Sequence, residues 1–135
     1  MKKISLIMAF IFLFIGICPT YAFASEVSPY YNNIIRTDTS FRISTSGAAY
    51  VDVSYNGITD VTTGATITVK IEKRNLLIFW NEVVNEVYYF REESHAETFV
   101  YQLEKTGTYR CTVDYLISGT GGLDDEITFQ DTQTY

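Results

Sequence analysis

The sequence predicts an all-β protein, an antiparallel sandwich of seven or eight strands over residues 25–135 behind an N-terminal export signal at residues 1–24. Three observations carry that prediction. Apolar and polar residues alternate with period two in segment after segment. Asn-Gly, Thr-Gly and Gly-Thr-Gly-Gly separate those segments. Finally, Leu103 closes one strand, a turn containing Gly107 follows, and Tyr109 opens a strictly alternating run through Tyr115.

The amino terminus comes first. Met1-Lys2-Lys3 is a short basic head, Ile4 to Ile17 is apolar apart from Ser5 and Gly16, and Ala22-Phe23-Ala24 offers the small residues that a signal peptidase needs before Ser25. The apolar run is shorter than the roughly 20 residues that span a bilayer, and Pro19 follows it, so cleavage and secretion are expected rather than stable membrane insertion. Ile17 stands where a lipid-attachment motif ahead of Cys18 needs a small residue, so lipidation is not expected. Cleavage removes Lys2, Lys3 and Cys18, leaving eight basic against sixteen acidic residues, a net charge of −8. No basic cluster is visible in the sequence, so nucleic acid and anionic headgroups are not expected as partners. The remaining 111 residues suffice for one core, and Cys111 alone makes no intrachain disulfide.

The strands follow in order. Phe41 and Ile43 mark the first. Ala49, Val51, Val53 and Tyr55 share one face of the second, which ends at Asn56-Gly57; Ile67, Val69 and Ile71 share one face of the third. Leu76-Leu77-Ile78-Phe79-Trp80 reads as a strand apolar on both faces, with Ile78 and Trp80 on one side, and Tyr88 and Phe90 read as a neighbouring strand. The glutamate-rich stretch Arg91 to Glu97 reads as a loop. Phe99, Tyr101 and Leu103 form the next strand; Tyr109, Cys111, Val113 and Tyr115 the one after; Ile127 and Phe129 the last.

The leucine–turn–tyrosine spacing at Leu103, Gly107 and Tyr109 resembles the tyrosine corner of fibronectin type III and immunoglobulin-like sandwiches, which implies that Tyr109 packs in the core with its hydroxyl on a nearby backbone group. From about Asn32 to Tyr135 the order of segments is similar to that of a group of small exported proteins of Gram-positive bacteria. These share a Ser-Thr-rich first strand ending in Ser46-Gly47, a Thr-Val-Lys-Ile strand, a tryptophan-bearing partner strand and a Gly-x-Tyr-Arg motif. That group implies no activity. The chain departs from antibody domains in lacking a second-strand cysteine and in carrying Trp80 on a later strand.

No catalytic constellation is evident. His95 is the one imidazole and falls in the expected loop, while Cys111 falls on an inward face, where it reads as a small buried hydrophobe. One cysteine and one histidine do not make a structural zinc site, and no cofactor is implied. Glu92, Glu93 and Glu97 read as a solvated charged loop. Asp124, Asp125 and Glu126 beside the glycine-rich loop read as solvated too, with cation binding the less favoured alternative.

What departs from plain sandwich patterning is the doubly apolar stretch. Its second face is covered by another segment, such as that carrying Tyr30 and Tyr31, or it is a surface for a partner. The candidate binding residues are therefore Trp80, Ile78, Tyr88 and Phe90. The expected function is non-catalytic: a secreted binding module for a protein or glycan of the envelope, with a small secreted effector, a bacteriocin-like toxin or enzyme inhibitor, as the alternative.

Overall fold

Burial follows the alternation residue by residue. In a computed structural model, which describes residues 30–76 and 78–135, seven strands run in order: β1 Ile34–Ile43, β2 Ala48–Gly57, β3 Thr62–Asn75, β4 Phe79–Phe90, β5 Ser94–Gln102, β6 Thr108–Gly119 and β7 Asp125–Thr134. The expected export signal, Cys18 and the cleavage point before Ser25 lie outside the described residues. All pairings are antiparallel, with β1-β2-β5 in one sheet and β4-β3-β6-β7 in the other.

The core lies between the two sheets. Ala49, Val51, Val53 and Tyr55 of β2 contribute one wall, and Ile67, Val69 and Ile71 of β3 with Tyr109, Cys111, Val113 and Tyr115 of β6 the other. Each fully buried aliphatic side chain stabilises the fold by about 1.5–3 kcal/mol through its removal from water. The buried tyrosines keep their hydroxyls paired, as interior polar groups must. Tyr115 reaches across the sheets to the Thr39 hydroxyl at 2.5 Å, and Tyr55 donates to the Glu92 carbonyl at 2.8 Å. Tyr109 donates to the Lys105 carbonyl, and Leu103 is buried beneath the same turn. This is the local bond that the leucine–turn–tyrosine spacing predicts.

Two segments differ from the sequence expectation. The glutamate-rich stretch is not a loop to Glu97: only Arg91, Glu92 and Glu93 connect β4 to β5, which pairs with β2 from Asn56↔Ser94 onward. His95 thus sits in a strand, its ring stacked on Phe90 at 4.0 Å. Stacking and backbone pairing outweigh the loop-like composition.

Leu76 and Ile78 do not lie in a strand either. β3 continues to Asn75, the chain reverses through Leu76 and Ile78, and β4 starts at Phe79. Leu76 takes a φ of 45°, a left-handed conformation that costs an L-residue with a large side chain roughly 1–2 kcal/mol. Trp80, Tyr88 and Phe90 then belong to one strand, where eight residues of regular pleat would align Trp80 with Tyr88. They do not align, because the register slips between Ile71 and Glu72: Ile71 pairs with Val84 and Glu72 with Glu82, leaving Val83 as the extra residue of a β-bulge. The bulge inverts the phase of the strand.

The two sides of the sandwich close differently. β1 and β7 approach each other on one side. On the other, β5 covers β4 through Phe99, stacked on Tyr88 with ring centroids 3.9 Å apart.

Candidate functional site

The bulge at Val83 divides the four candidate binding residues. Tyr88 and Phe90 turn inward, half-buried and packed against the core, held by Phe99 and His95. The Tyr88 hydroxyl also meets Tyr101 at 2.9 Å and donates to Glu86. These rings pack between sheets, so they share no face with Trp80. Trp80 pairs with Arg74 on the outer face, and Ile78 stands in the turn, 72% exposed.

Around Trp80 the outer face is built from β6, β3 and β4 in turn. The Arg110 guanidinium lies 4.4 Å from the Trp80 ring centroid and is fixed there by Glu72, whose carboxylate accepts from Nη2 at 2.6 Å and Nε at 3.0 Å. Glu72 also faces Lys70 at 3.8 Å. Cation, carboxylate and indole therefore form one braced assembly, with the indole half-exposed. The guanidinium over the indole braces the ring through a cation–π contact.

Beyond Trp80 the hairpin leaves the sheet. β6 accompanies β3 only as far as Lys73↔Tyr109, so the rungs Arg74↔Trp80 and Asn75↔Phe79 belong to β3 and β4 alone. Leu76, Ile78 and Phe79 are 79%, 72% and 61% exposed. The segment with Tyr30 and Tyr31 does not cover them: Tyr30 is itself exposed, and Tyr31 packs on the core beside Asn32, at the opposite end of the sandwich.

At the foot of this hairpin a cleft of about 710 Å³ opens between the sheets, lined by Lys73, Arg74 and Lys105 together with Asn81, Tyr101 and Tyr109, among others. Lys73 lies 5.8 Å from the Tyr109 ring centroid. Three of the eight cations of the described residues thus border one cleft, with Glu104 the carboxylate in the same lining. The linear sequence hid this grouping, because Lys105 is far from Lys73 and Arg74 along the chain.

The groups weighed for chemistry are placed as follows. Cys111 is fully buried, and burial, followed by the charge of Asp131, pushes its thiol up to about 12, so it stays protonated. His95 contacts Glu92 through Nδ1 at 2.8 Å and Glu97 through Nε2 at 3.2 Å. Burial disfavours the charged ring, but the hydrogen bonds and charges of the two glutamates outweigh it and raise the histidine pKa. Among the described residues no group of three or more His, Cys, Asp or Glu is arranged to hold a metal ion.

Asp125 corrects the expectation of a solvated acidic cluster. It is buried, accepting the backbone N–H of Asn32 at 2.9 Å and of Asn33 at 2.6 Å. The wholly buried Asn33 side chain donates to the Leu123 carbonyl at 2.8 Å and accepts from the Gly121 N–H at 3.0 Å. The glycines of the β6–β7 loop serve this close approach. A Cβ at Gly121 would lie 2.1 Å from the Asn32 carbonyl oxygen, so no larger residue fits there without a shift of the backbone.

No protein-family model and no curated protein matches this chain. Among solved structures it is similar to a β-glucosidase from Listeria innocua in complex with isofagomine, at 14% identity and a TM-score of 0.41, over 82% of this chain and 20% of that one. The chain spans about a fifth of that enzyme's length, and a likeness of this size carries no inference about activity.

Proposed function

We propose that this chain is a secreted, non-catalytic binding module of the fibronectin III or immunoglobulin-like kind, acting at the cell envelope through the hairpin end around Trp80 and Ile78. Two features support the fold type. The Tyr109 to Lys105 bond has the local geometry of a tyrosine corner. The strand division follows the seven-strand immunoglobulin pattern, except that the fourth strand lies beside the third instead of joining the first sheet.

One observation carries the functional reading. Leu76, Ile78 and Phe79 stand exposed together next to a half-exposed tryptophan at one hairpin, whereas Ile35, Tyr89, Val100 and Leu123, which are exposed as well, lie elsewhere in the fold. A contiguous apolar patch on a soluble domain marks an interaction surface, and a tryptophan braced by an arginine offers large contact area at low entropic cost.

Retention of the protein from culture medium on lipid-free cell-wall material and on glycans tests this reading. Trp80→Ala should lower retention while costing only about 1 kcal/mol of stability, the value of a partly exposed cation–π contact. A loss of roughly 3–5 kcal/mol, the cost of truncating a buried tryptophan, would assign Trp80 to the core. Growth inhibition of neighbouring strains without retention would favour the secreted effector instead.

A further inference from the structure

We propose that the β3–β4 hairpin docks this domain on a lipid bilayer with anionic headgroups, Leu76, Ile78 and Phe79 entering the boundary between headgroups and acyl chains while Lys73, Arg74 and Lys105 face the phosphates. The proposal rests on reading the hairpin end as the binding surface and names what that surface binds.

Shape is the first argument. The two rungs that β3 and β4 share without a third strand carry the turn about 7 Å past the sheet, at about 3.3 Å per residue. Interfacial segments bury their apolar faces about 5–10 Å into a bilayer, so the reach of the hairpin matches the depth of the boundary. The side chains at its end are apolar and exposed, and Leu76 holds a left-handed φ of 45° that asparagine would adopt more easily. A leucine is present there although the turn itself does not favour it.

Charge is the second and independent argument. The chain carries a net charge of −6, yet Lys73, Arg74 and Lys105 gather at the base of this one hairpin. The carboxylates of the hairpin, Glu72 and Glu82, pair one step farther from the tip, and Glu72 is engaged by Arg110 and Lys70. An apolar tip with three cations against one carboxylate, Glu104, at its base complements an anionic membrane surface, where each lysine or arginine near the headgroups adds attraction. Trp80, between tip and base, takes the level that amphipathic aromatic rings prefer at a membrane interface.

Co-sedimentation with vesicles tests the proposal, using protein recovered from culture medium with the same N-terminus in every variant. Wild type should sediment with phosphatidylcholine–phosphatidylglycerol vesicles, less with phosphatidylcholine alone, and less again as salt is raised. Phe79→Asp should lower the partition about tenfold or more, the equivalent of one large apolar side chain kept in water. Lys73→Gln and Lys105→Gln should each lower it about fivefold. Leu76→Asn, which suits the turn and retains the fold, should also bind less. Absence of wild-type sedimentation, or undiminished sedimentation of both Phe79→Asp and Leu76→Asn, would overturn the proposal. Retention on lipid-free wall material without vesicle binding would overturn the lipid assignment and keep the binding-module reading; loss of both would remove both. Capture of a single protein through the same side chains, with no vesicle binding, would likewise overturn it.

Discussion

The two ends of this sandwich are built on opposite principles. At the end holding Asn33 the loops are sewn together through polar groups: Asp125 takes two backbone N–H groups, Asn33 reaches Leu123 and Gly121, Gly57 donates to the Glu93 carbonyl at 3.0 Å, and Thr120 to the Val61 carbonyl at 2.9 Å. At the other end Leu103 bonds Gly47, and Gly107 and Tyr135 bond each other, yet the β3–β4 hairpin there holds apolar side chains in water. Buried polar networks add rigidity only when every member is satisfied, and the first end meets that condition. Exposed leucine, isoleucine and phenylalanine add nothing to folding. The contrast separates an end closed by a satisfied polar network, although Leu123 and Tyr30 are exposed there too, from a hairpin whose exposed apolar residues stability does not explain.

The sharpest way to break this contrast is at Asp125. Asp125→Ala leaves the N–H groups of Asn32 and Asn33 without their charged acceptor, and should cost about 3 kcal/mol, read as a fall in the urea midpoint. Vesicle and wall retention measured well below that midpoint should be unchanged. A cost under about 1 kcal/mol would mean that water replaces the carboxylate and that the sewn end is no stronger than an ordinary loop cluster.

A smaller effect is expected at Tyr109. Its ring lies in the core, but its hydroxyl holds the β5–β6 connection at the hairpin end through Lys105. Tyr109→Phe should therefore cost on the order of 1 kcal/mol, with the fold retained. Lys105 borders the cleft, so vesicle binding should also weaken slightly as its backbone loosens. An unchanged denaturation midpoint would show that the bond contributes no net stability.

The two ends also differ in how far the sequence disclosed them. Strands β2, β3 and β6 were legible because half-buried strands repeat every two residues, and Ala49 to Tyr55, Ile67 to Ile71 and Tyr109 to Tyr115 are buried as their alternation requires. The hairpin was not. Its turn is made by Leu76 and Ile78, residues whose type signals a strand, so Trp80 and Tyr88 read as parts of neighbouring strands instead of one, and the bulge at Val83 that sets their opposite faces has no sequence signature. Asn33 and Asp125 meet from opposite ends of the sequence, so no local pattern could show that one acidic residue of three is buried. Lys105 joins Lys73 and Arg74 by the same long-range closure. Of the candidate residues, Ile78 and Trp80 were found at the surface and Tyr88 and Phe90 between the sheets; what the sequence missed was that Trp80, Tyr88 and Phe90 share one strand with a bulge between them.

The smallest expected effect lies at the margin of the sewn end and concerns pH. Neutral imidazole has one N–H to donate, yet both ring nitrogens of His95 face carboxylates, Glu92 at 2.8 Å and Glu97 at 3.2 Å, so the arrangement suits the protonated ring. The folded-state pKa is raised above the ordinary value of 6.5, because burial, which opposes the charge, is outweighed by the two glutamates. A raised folded pKa means that the stabilisation is fully present below the unfolded pKa and is lost as pH rises through the folded one. Stability should therefore decline from about pH 6 upward into the mildly alkaline range, by no more than about 1 kcal/mol, since both glutamates are largely exposed and screened. His95→Gln should flatten that slope and leave the hairpin end untouched. A slope that persists in His95→Gln would have to come from another group, and a slope of opposite sign in the wild type would mean that burial, not the glutamates, governs this histidine.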